Sequence, residues 1–306
     1  NWLFDLEQTQ LAYPDSTKVI LANCKCNLHN LMTGYLDERQ KTTTPWVFEA
    51  EYLNKRPRKV DKSFYAMLNE DQHGYSNFNY NYYDTIGKVP TSKGDADMVE
   101  DKPLILGIDW GGVINSMAIA QHIPGEFRVL KSMYVLSDKG ETQDDLAQQF
   151  IKYYASKTLK TVYIFYDNTG NVRTGNTRVT RAEQFKALLT AAGWTVILRT
   201  EGGANVRHSN KHYLFEVILK EDNPRLPIFR INKYNARDLL ISMQNTQIVT
   251  AYDGTIKKDK SSEKKLRASD RQLATDLSDA LDTAVYGLFR DTLRSAGISL
   301  PDSRFQ

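Results

Sequence analysis

The chain has 306 residues, 41% of them hydrophobic and 25% charged, with a formal net charge of +3. That is enough apolar material for one large domain or two ordinary ones, and the composition is that of a globular protein with a sizeable core. No apolar run approaches the roughly 18 residues needed to cross a bilayer, the N-terminus lacks the basic–apolar–small pattern of a secretory signal, and a charge of +3 is too small to announce a nucleic-acid partner by itself.

The first hundred residues are irregular and rich in Asn, Tyr and Thr. A strand is expected at Lys18–Ala22 and a helix near Pro45–Leu53. Cys24 and Cys26 lie two apart, too few for a disulfide framework; with His29 they would make only a partial metal site, and two half-buried thiols are the plainer reading. Lys55–Lys62 (KRPRKVDK) is a basic block. The ring-rich segment Gly74–Asp84 reads as an ordered loop packing its aromatics against a neighbour, although interleaved rings and amides can also stack on bases. Lys88–Lys102, with a proline, a glycine and mixed charges, reads as a linker. The chain opens on Asn1-Trp-Leu-Phe with no Met, which suggests a piece of something longer.

From Pro103 onward the patterns become regular. Leu104–Ile108 is an apolar strand, followed by Asp109-Trp110-Gly111-Gly112. Val113–His122 and Phe127–Leu136 continue as strands about a Pro124-Gly125 turn. Apolar spacing predicts a helix over Thr142–Tyr154. A fourth strand, Val162–Tyr166, runs into Asp167-Asn168-Thr169-Gly170. A helix at Arg181–Ala192, stopped by Gly193, leads to a fifth strand at Thr195–Leu198. Helices are expected at His208–Glu221 and Ala236–Met243, with short extended pieces at Ile228–Ile231 and Ile248–Thr250. Asp253-Gly254 is a hairpin-type turn. It opens a stretch, Ile256–Arg267, with six basic residues against two acids, expected to be a flexible basic loop. The last helix runs from about Leu273 to Arg290 with Leu277, Leu281, Ala284, Val285 and Leu288 as its buried stripe.

Three strands, then helix–strand–helix–strand, then a closing helix is the order of a ribonuclease H-like α/β domain: a mixed five-stranded sheet flanked by helices. The expected division is 1–100 as an upstream region plus linker and 101–306 as this domain. In that order the first strand, fourth strand and final helix meet at one sheet edge, and each carries an aspartate: Asp109, Asp167 and Asp279. A carboxylate ending a buried strand must be solvated, paired or cation-bound. Three together make an oxygen-rich cleft suited to Mg²⁺ or Mn²⁺. With two such ions, one acidifies the attacking water and the other steadies the leaving oxygen of a phosphodiester. Asp109 is placed to bridge them. Asp276, one helical turn before Asp279, is a further ligand candidate, whereas Asp282 reads as helix-start charge. Each aspartate alone is an ordinary turn residue; the signal is their order. Lys257, Lys258, Lys260, Lys264, Lys265 and Arg267 are candidates for holding DNA phosphates without reading sequence. Of the histidines, His208 and His212 are four apart on a helix and could share a metal, though a solvated face is the plainer reading.

The set GIDWGG at 107–112, YDNTG at 166–170 and DLSDAL at 276–281 resembles the C-terminal nuclease domain of tailed-phage large terminase subunits over roughly residues 103–290. Phe48–Leu53 (FEAEYL) resembles the end of that family's ATPase region. The resemblance implies a metal-dependent endonuclease that cuts concatemeric phage DNA during genome packaging. It implies two Mg²⁺ or Mn²⁺ ions on Asp109, Asp167 and Asp279, and double-stranded DNA as substrate. Portal protein, small terminase subunit and an upstream ATPase domain are the implied partners, with no membrane, in the cytoplasm of a bacterial host. The family often has a His three residues before the last acid, where this chain has Asp276. No G-x-x-x-x-G-K-[ST] phosphate loop is present, so ATP hydrolysis is not expected. The rival readings are another ribonuclease H-like nuclease of resolvase or transposase type, a sugar-kinase-like phosphotransferase, and a non-catalytic module docking on DNA or a portal.

Overall fold

A computed structural model describes residues 29–37, 62–76, 91–173, 178–200, 206–250, 255–261, 263 and 273–295. By packing, the chain divides into two units, 1–60 with 81–88, and 61–80 with 89–306. In the first, residues 29–37 form two short helical turns. The strand at Lys18–Ala22, the helix at Pro45–Leu53, Cys24, Cys26, most of the basic block at Lys55–Lys62 and the turn at Asp253-Gly254 lie outside the described residues.

The second unit is built on the strands β1 (Leu104–Trp110), β2 (Ile114–Ile123), β3 (Glu126–Leu136), β4 (Thr161–Tyr166), β5 (Thr195–Thr200) and β6 (Ile228–Asn232). The helices are α1 (Gln143–Tyr153), α2 (Arg181–Ala191), α3 (His208–Lys220), α4 (Arg237–Asn245) and α5 (Asp276–Ser295). β1, β2 and β3 form an antiparallel meander; β4 pairs parallel with β1, and β5 parallel with β4. The lateral order β3–β2–β1–β4–β5 is the ribonuclease H-like arrangement expected from the element order.

The sheet has seven strands, not five. β6 pairs parallel with β3, and the two-residue strand Gly74–Tyr75 pairs parallel with β6. The physical reason is the outer edge of β3: β3 is eleven residues long, and its unpaired backbone groups would otherwise need solvent or another partner. A small hairpin of β7 (Ile248–Thr250) and β8 (Ile256–Lys258) stands apart. β8 was expected to be loop; pairing with β7 makes it a strand.

Both faces of the sheet are covered, which is why β1 and β4 read as near-continuous apolar runs. Leu104, Leu106, Ile108 and Trp110 pack with α1 and α2. The alternate residue Ile105 packs with α3, α4 and α5. Residues 62–76 belong to this second layer, with Phe64, Tyr65 and Leu68 in its core. Composition grouped them with the first hundred residues; packing puts them here.

The segment read as a linker is also built in. Asp95 accepts from the Tyr153 hydroxyl at 2.8 Å and from Asn235, and Asp97 accepts from the Tyr75 hydroxyl at 2.5 Å and from Asn232. Asp95 is buried, and burial raises its pKa to about 6. Helix starts follow the sequence closely: Thr142 with Asp145, and Thr180 with Glu183, form reciprocal capping boxes. Among the described residues no helix is long and apolar enough to cross a membrane.

A candidate active site where two strands meet the last helix

Period-two alternation sets Asp109 on the same face of β1 as Ile105 and Gly107, the face that α5 covers. Asp167 follows Tyr163 and Phe165 in the same parity on β4, and Phe165 packs in the α5 layer. Ile108 is registered beside Tyr166 in the parallel pair, so the two strands end together and deliver both carboxylates to one edge.

α5 completes the site because it lies unusually close to β1. A Cβ added at Gly107 would stand 1.9 Å from the Ala280 carbonyl oxygen, so only glycine permits this approach. The N-terminal turn of the helix then reaches the end of β1. Ser116 on β2 donates to the Asp276 carbonyl at 2.9 Å, and a Cβ at Gly111 would be 3.4 Å from Asp276 Oδ1. The turn after β4 is equally tight: Gly170 lies against the Trp110 and Tyr166 rings, where a Cβ would clash at 2.4 and 2.3 Å. Asp167 caps that turn, with Oδ1 accepting from the Thr169 amide at 2.9 Å and hydroxyl at 2.5 Å.

The acids are near enough to act on one another's charge. Burial, then Asp279, Asp276 and Asp167, push the Asp109 carboxyl well above the usual range, with Lys260 opposing. Burial, then Glu263, raise Asp276 to about 6. Its Oδ2 is buried with no hydrogen-bond partner among the described residues. Asp279 behaves oppositely. Burial would raise it, but the Lys258 and Lys260 ammonium groups hold it far below the carboxylate range.

Lys258 contradicts its expected place at a DNA surface. Its side chain is 0% exposed, paired with Asp279 Oδ1 and Asp282 Oδ2 at 2.7 Å each. It also donates to the Tyr65 hydroxyl at 2.8 Å and Ser278 at 3.0 Å. The alternation of β8 turns it inward, where the two carboxylates outweigh burial and raise its pKa. Asp282 is likewise not a solvated helix-start charge: it is buried and accepts from Tyr65 at 2.6 Å. Lys260 is 46% exposed and pairs with Asp279 Oδ2 at 2.7 Å. Lys257 is exposed on β8. Lys264, Lys265 and Arg267 lie outside the described residues.

Several neighbours escaped the sequence reading. Glu263 accepts from Thr275 at 2.5 Å and pairs with Lys260. Arg181 donates to the Trp110 carbonyl at 3.2 Å. His208, first residue of α3, sits beside the lysines: its Nδ1 accepts from the Lys258 amide at 3.3 Å. Burial lowers its pKa to about 4, so the ring is neutral at pH 7. His212 is buried instead of lying on a solvated face, with its Nδ1 2.7 Å from the Phe64 carbonyl. Only the basic run at 256–267 hinted at any of these.

The donor set suits a hard cation, since every acid supplies oxygen and Asp276 Oδ2 is unsatisfied. Among the described residues no three such side chains stand close enough to share one ion, and both Asp279 oxygens are engaged by ammonium groups. The class defined by fold and site is therefore a ribonuclease H-like α/β domain with a carboxylate cluster at the carboxyl edge of its sheet.

No family model and no curated protein matches the sequence. Among solved structures the chain is similar to the large terminase nuclease of thermophilic phage G20c with bound magnesium. The identity there is 11% over 74% of this chain and 98% of that one, with a TM-score of 0.44. It is similar to the Thermus phage P74-26 large terminase nuclease domain at 13% identity, over 74% of this chain and 93% of that one, TM-score 0.42. The large terminase of another thermophilic bacteriophage matches at 15% identity over 85% of this chain, TM-score 0.44, and the chain spans 53% of its length.

Proposed function

We propose that this unit is a divalent-cation-dependent endodeoxyribonuclease that cuts concatemeric phage DNA during genome packaging in the bacterial host. What supports the reading is the meeting of Asp109, Asp167, Asp276 and Asp279 at one sheet edge, where each of the other three raises the Asp109 carboxyl. Carboxylates forced together in this way are relieved by a cation. The ions we assign to Asp109, Asp167 and Asp279, with Asp276 as a further ligand, are Mg²⁺ or Mn²⁺, two in number. Bound there, they would supply Lewis acidity, lowering the pKa of a water and neutralising charge on the phosphate.

The chain's own residues do the rest. The tight seat of α5 at Gly107 fixes the distance between the helix acids and Asp109. Lys258 keeps Asp279 ionised. Exposed Lys257, with Lys264, Lys265 and Arg267, would hold DNA phosphates through charge alone. The neutral His208 ring, with Nδ1 already accepting from Lys258, keeps its proton on Nε2. The implied partners are double-stranded DNA and, in the packaging complex, portal, small subunit and an ATPase domain.

The test is nicking of supercoiled plasmid in Mn²⁺ and then Mg²⁺, with a chelator control and Asp109→Asn. We expect cation-dependent nicking, lost in the variant by more than the roughly 10- to 100-fold that removal of an outer-shell partner costs, with an unchanged circular dichroism spectrum. Undiminished nicking by folded Asp109→Asn would sink the assignment. A non-catalytic docking module is the second reading, favoured by the neutralisation of both Asp279 oxygens; it predicts DNA binding without nicking in either metal.

A further inference from the structure

Lys258 and Lys260 reach one carboxylate from the same side of an extended segment. β8 ends at Lys258, and the Asp259 amide continues the ladder by donating to the Gln247 carbonyl at 2.8 Å. Residues two apart therefore share a face, and their ammonium groups divide Asp279 between them, Lys258 on Oδ1 and Lys260 on Oδ2. The two contacts are physically different. Lys258 is 0% exposed and held by Asp282, Tyr65 and Ser278 besides Asp279. Withdrawing it would strip buried Asp282 of its ion pair and leave Asp279 with Lys260 alone. Lys260 is 46% exposed, and its ammonium can return to water at little cost. A hard cation arriving at Asp279 thus finds Oδ1 permanently engaged and Oδ2 engaged by a removable group.

We propose that Lys260 is a displaceable internal counter-ion. It covers Asp279 Oδ2 while no divalent cation is bound, competes with that cation for the oxygen, and on displacement presents its ammonium to a DNA phosphate at the mouth of the site. This rests on the nuclease reading above and adds to it that the helix side of the site is closed by the chain's own cation. Glu263, 3.3 Å from Lys260, gives the released ammonium a second anchor. The electrostatic record agrees: Lys260 opposes the raised pKa of Asp109 as well as lowering that of Asp279.

The test is calorimetric titration of the full chain with Mn²⁺ alone, at fixed ionic strength, for wild type, Lys260→Met, Lys257→Met and Asp109→Asn. Lys260→Met should bind Mn²⁺ about fivefold more tightly than wild type, the upper end of what one exposed ion pair is worth. Lys257→Met removes an equal charge from the neighbouring exposed position and should leave affinity within about twofold. Equal or weaker binding by Lys260→Met, with binding still lost in Asp109→Asn, overturns the inference and leaves the nuclease reading standing. Equal gains in both lysine variants also overturn it, because the effect would then be bulk charge. No Mn²⁺ binding in wild type or Lys260→Met alike, from folded protein, removes the cation site itself and the inference with it.

Discussion

Lys258 and Lys260 carry the same charge, sit two residues apart and meet the same carboxylate, yet a substitution should separate them sharply. Lys258→Met takes the ion pair from fully buried Asp282 and leaves Asp279 with Lys260 alone. Removing one partner of such a group costs about 3–5 kcal/mol, to be read from urea unfolding, whereas Lys260→Met, at a side chain 46% exposed, should stay within about 1 kcal/mol. Asp95 offers a pH test away from the site. Its folded-state pKa, raised to about 6 by burial, lies above the unfolded value, so the folded state binds the extra proton. That contribution is fully present below about pH 4, declines as pH rises, and is gone above about pH 6. The difference in unfolding free energy between Asp95→Asn and wild type should therefore shift in favour of the variant between pH 4 and 6, by about 1–3 kcal/mol. A difference that is flat across that window would refute the assignment.

Single elements depend on close approaches that only small residues allow. α5 carries two of the candidate ligands and sits on β1 at Gly107, where a Cβ would stand 1.9 Å from the Ala280 carbonyl oxygen. Gly107→Ala must push the helix outward. Overpacking of this kind costs about 1–3 kcal/mol, and the displacement should also weaken Mn²⁺ binding, since Asp276 and Asp279 move with the helix while Asp109 does not. Loss of stability with unaltered Mn²⁺ affinity would show that the helix seat does not set the site. α2 is a milder case: Thr180→Ala removes one half of a capping box and should cost about 0.5–2 kcal/mol by thermal or urea melts, with no effect on the cation.

For the molecule as a whole, the sheet does not end where the regular sequence patterns begin. Phe64, Tyr65 and Leu68 fill the layer between the sheet and α3–α5, and Gly74–Tyr75 covers the open side of β6. Asp97 ties that strand to the segment before β1 through Tyr75 and Asn232. A chain cut to residues 101–306 should consequently melt lower than one cut to 61–306 and expose apolar surface to a hydrophobic dye. Equal melting temperatures would show that the 62–76 segment adds nothing to the core.

Much of this was legible in the amino-acid order because the physics is local. Period-two and helical spacing locate β1 to β5 and α1 to α5 within a few residues, and the positions of Asp109, Asp167 and Asp279 along that order point to one sheet edge. What the sequence could not supply is contact between distant segments. Residues 62–76 carry one apolar run, Phe64–Leu68, which is too short to show a period and does not say which layer it joins. Nothing in IKKDK at 256–260 says which lysine faces inward: that depends on β8 pairing with β7, which turns alternate side chains toward α5. The sequence by itself determined β1 to β5, α1 to α5 and the order in which three aspartates accompany them. The tertiary structure alone decided the partner of each charge, because pairing depends on burial and on distances of a few ångströms across the chain.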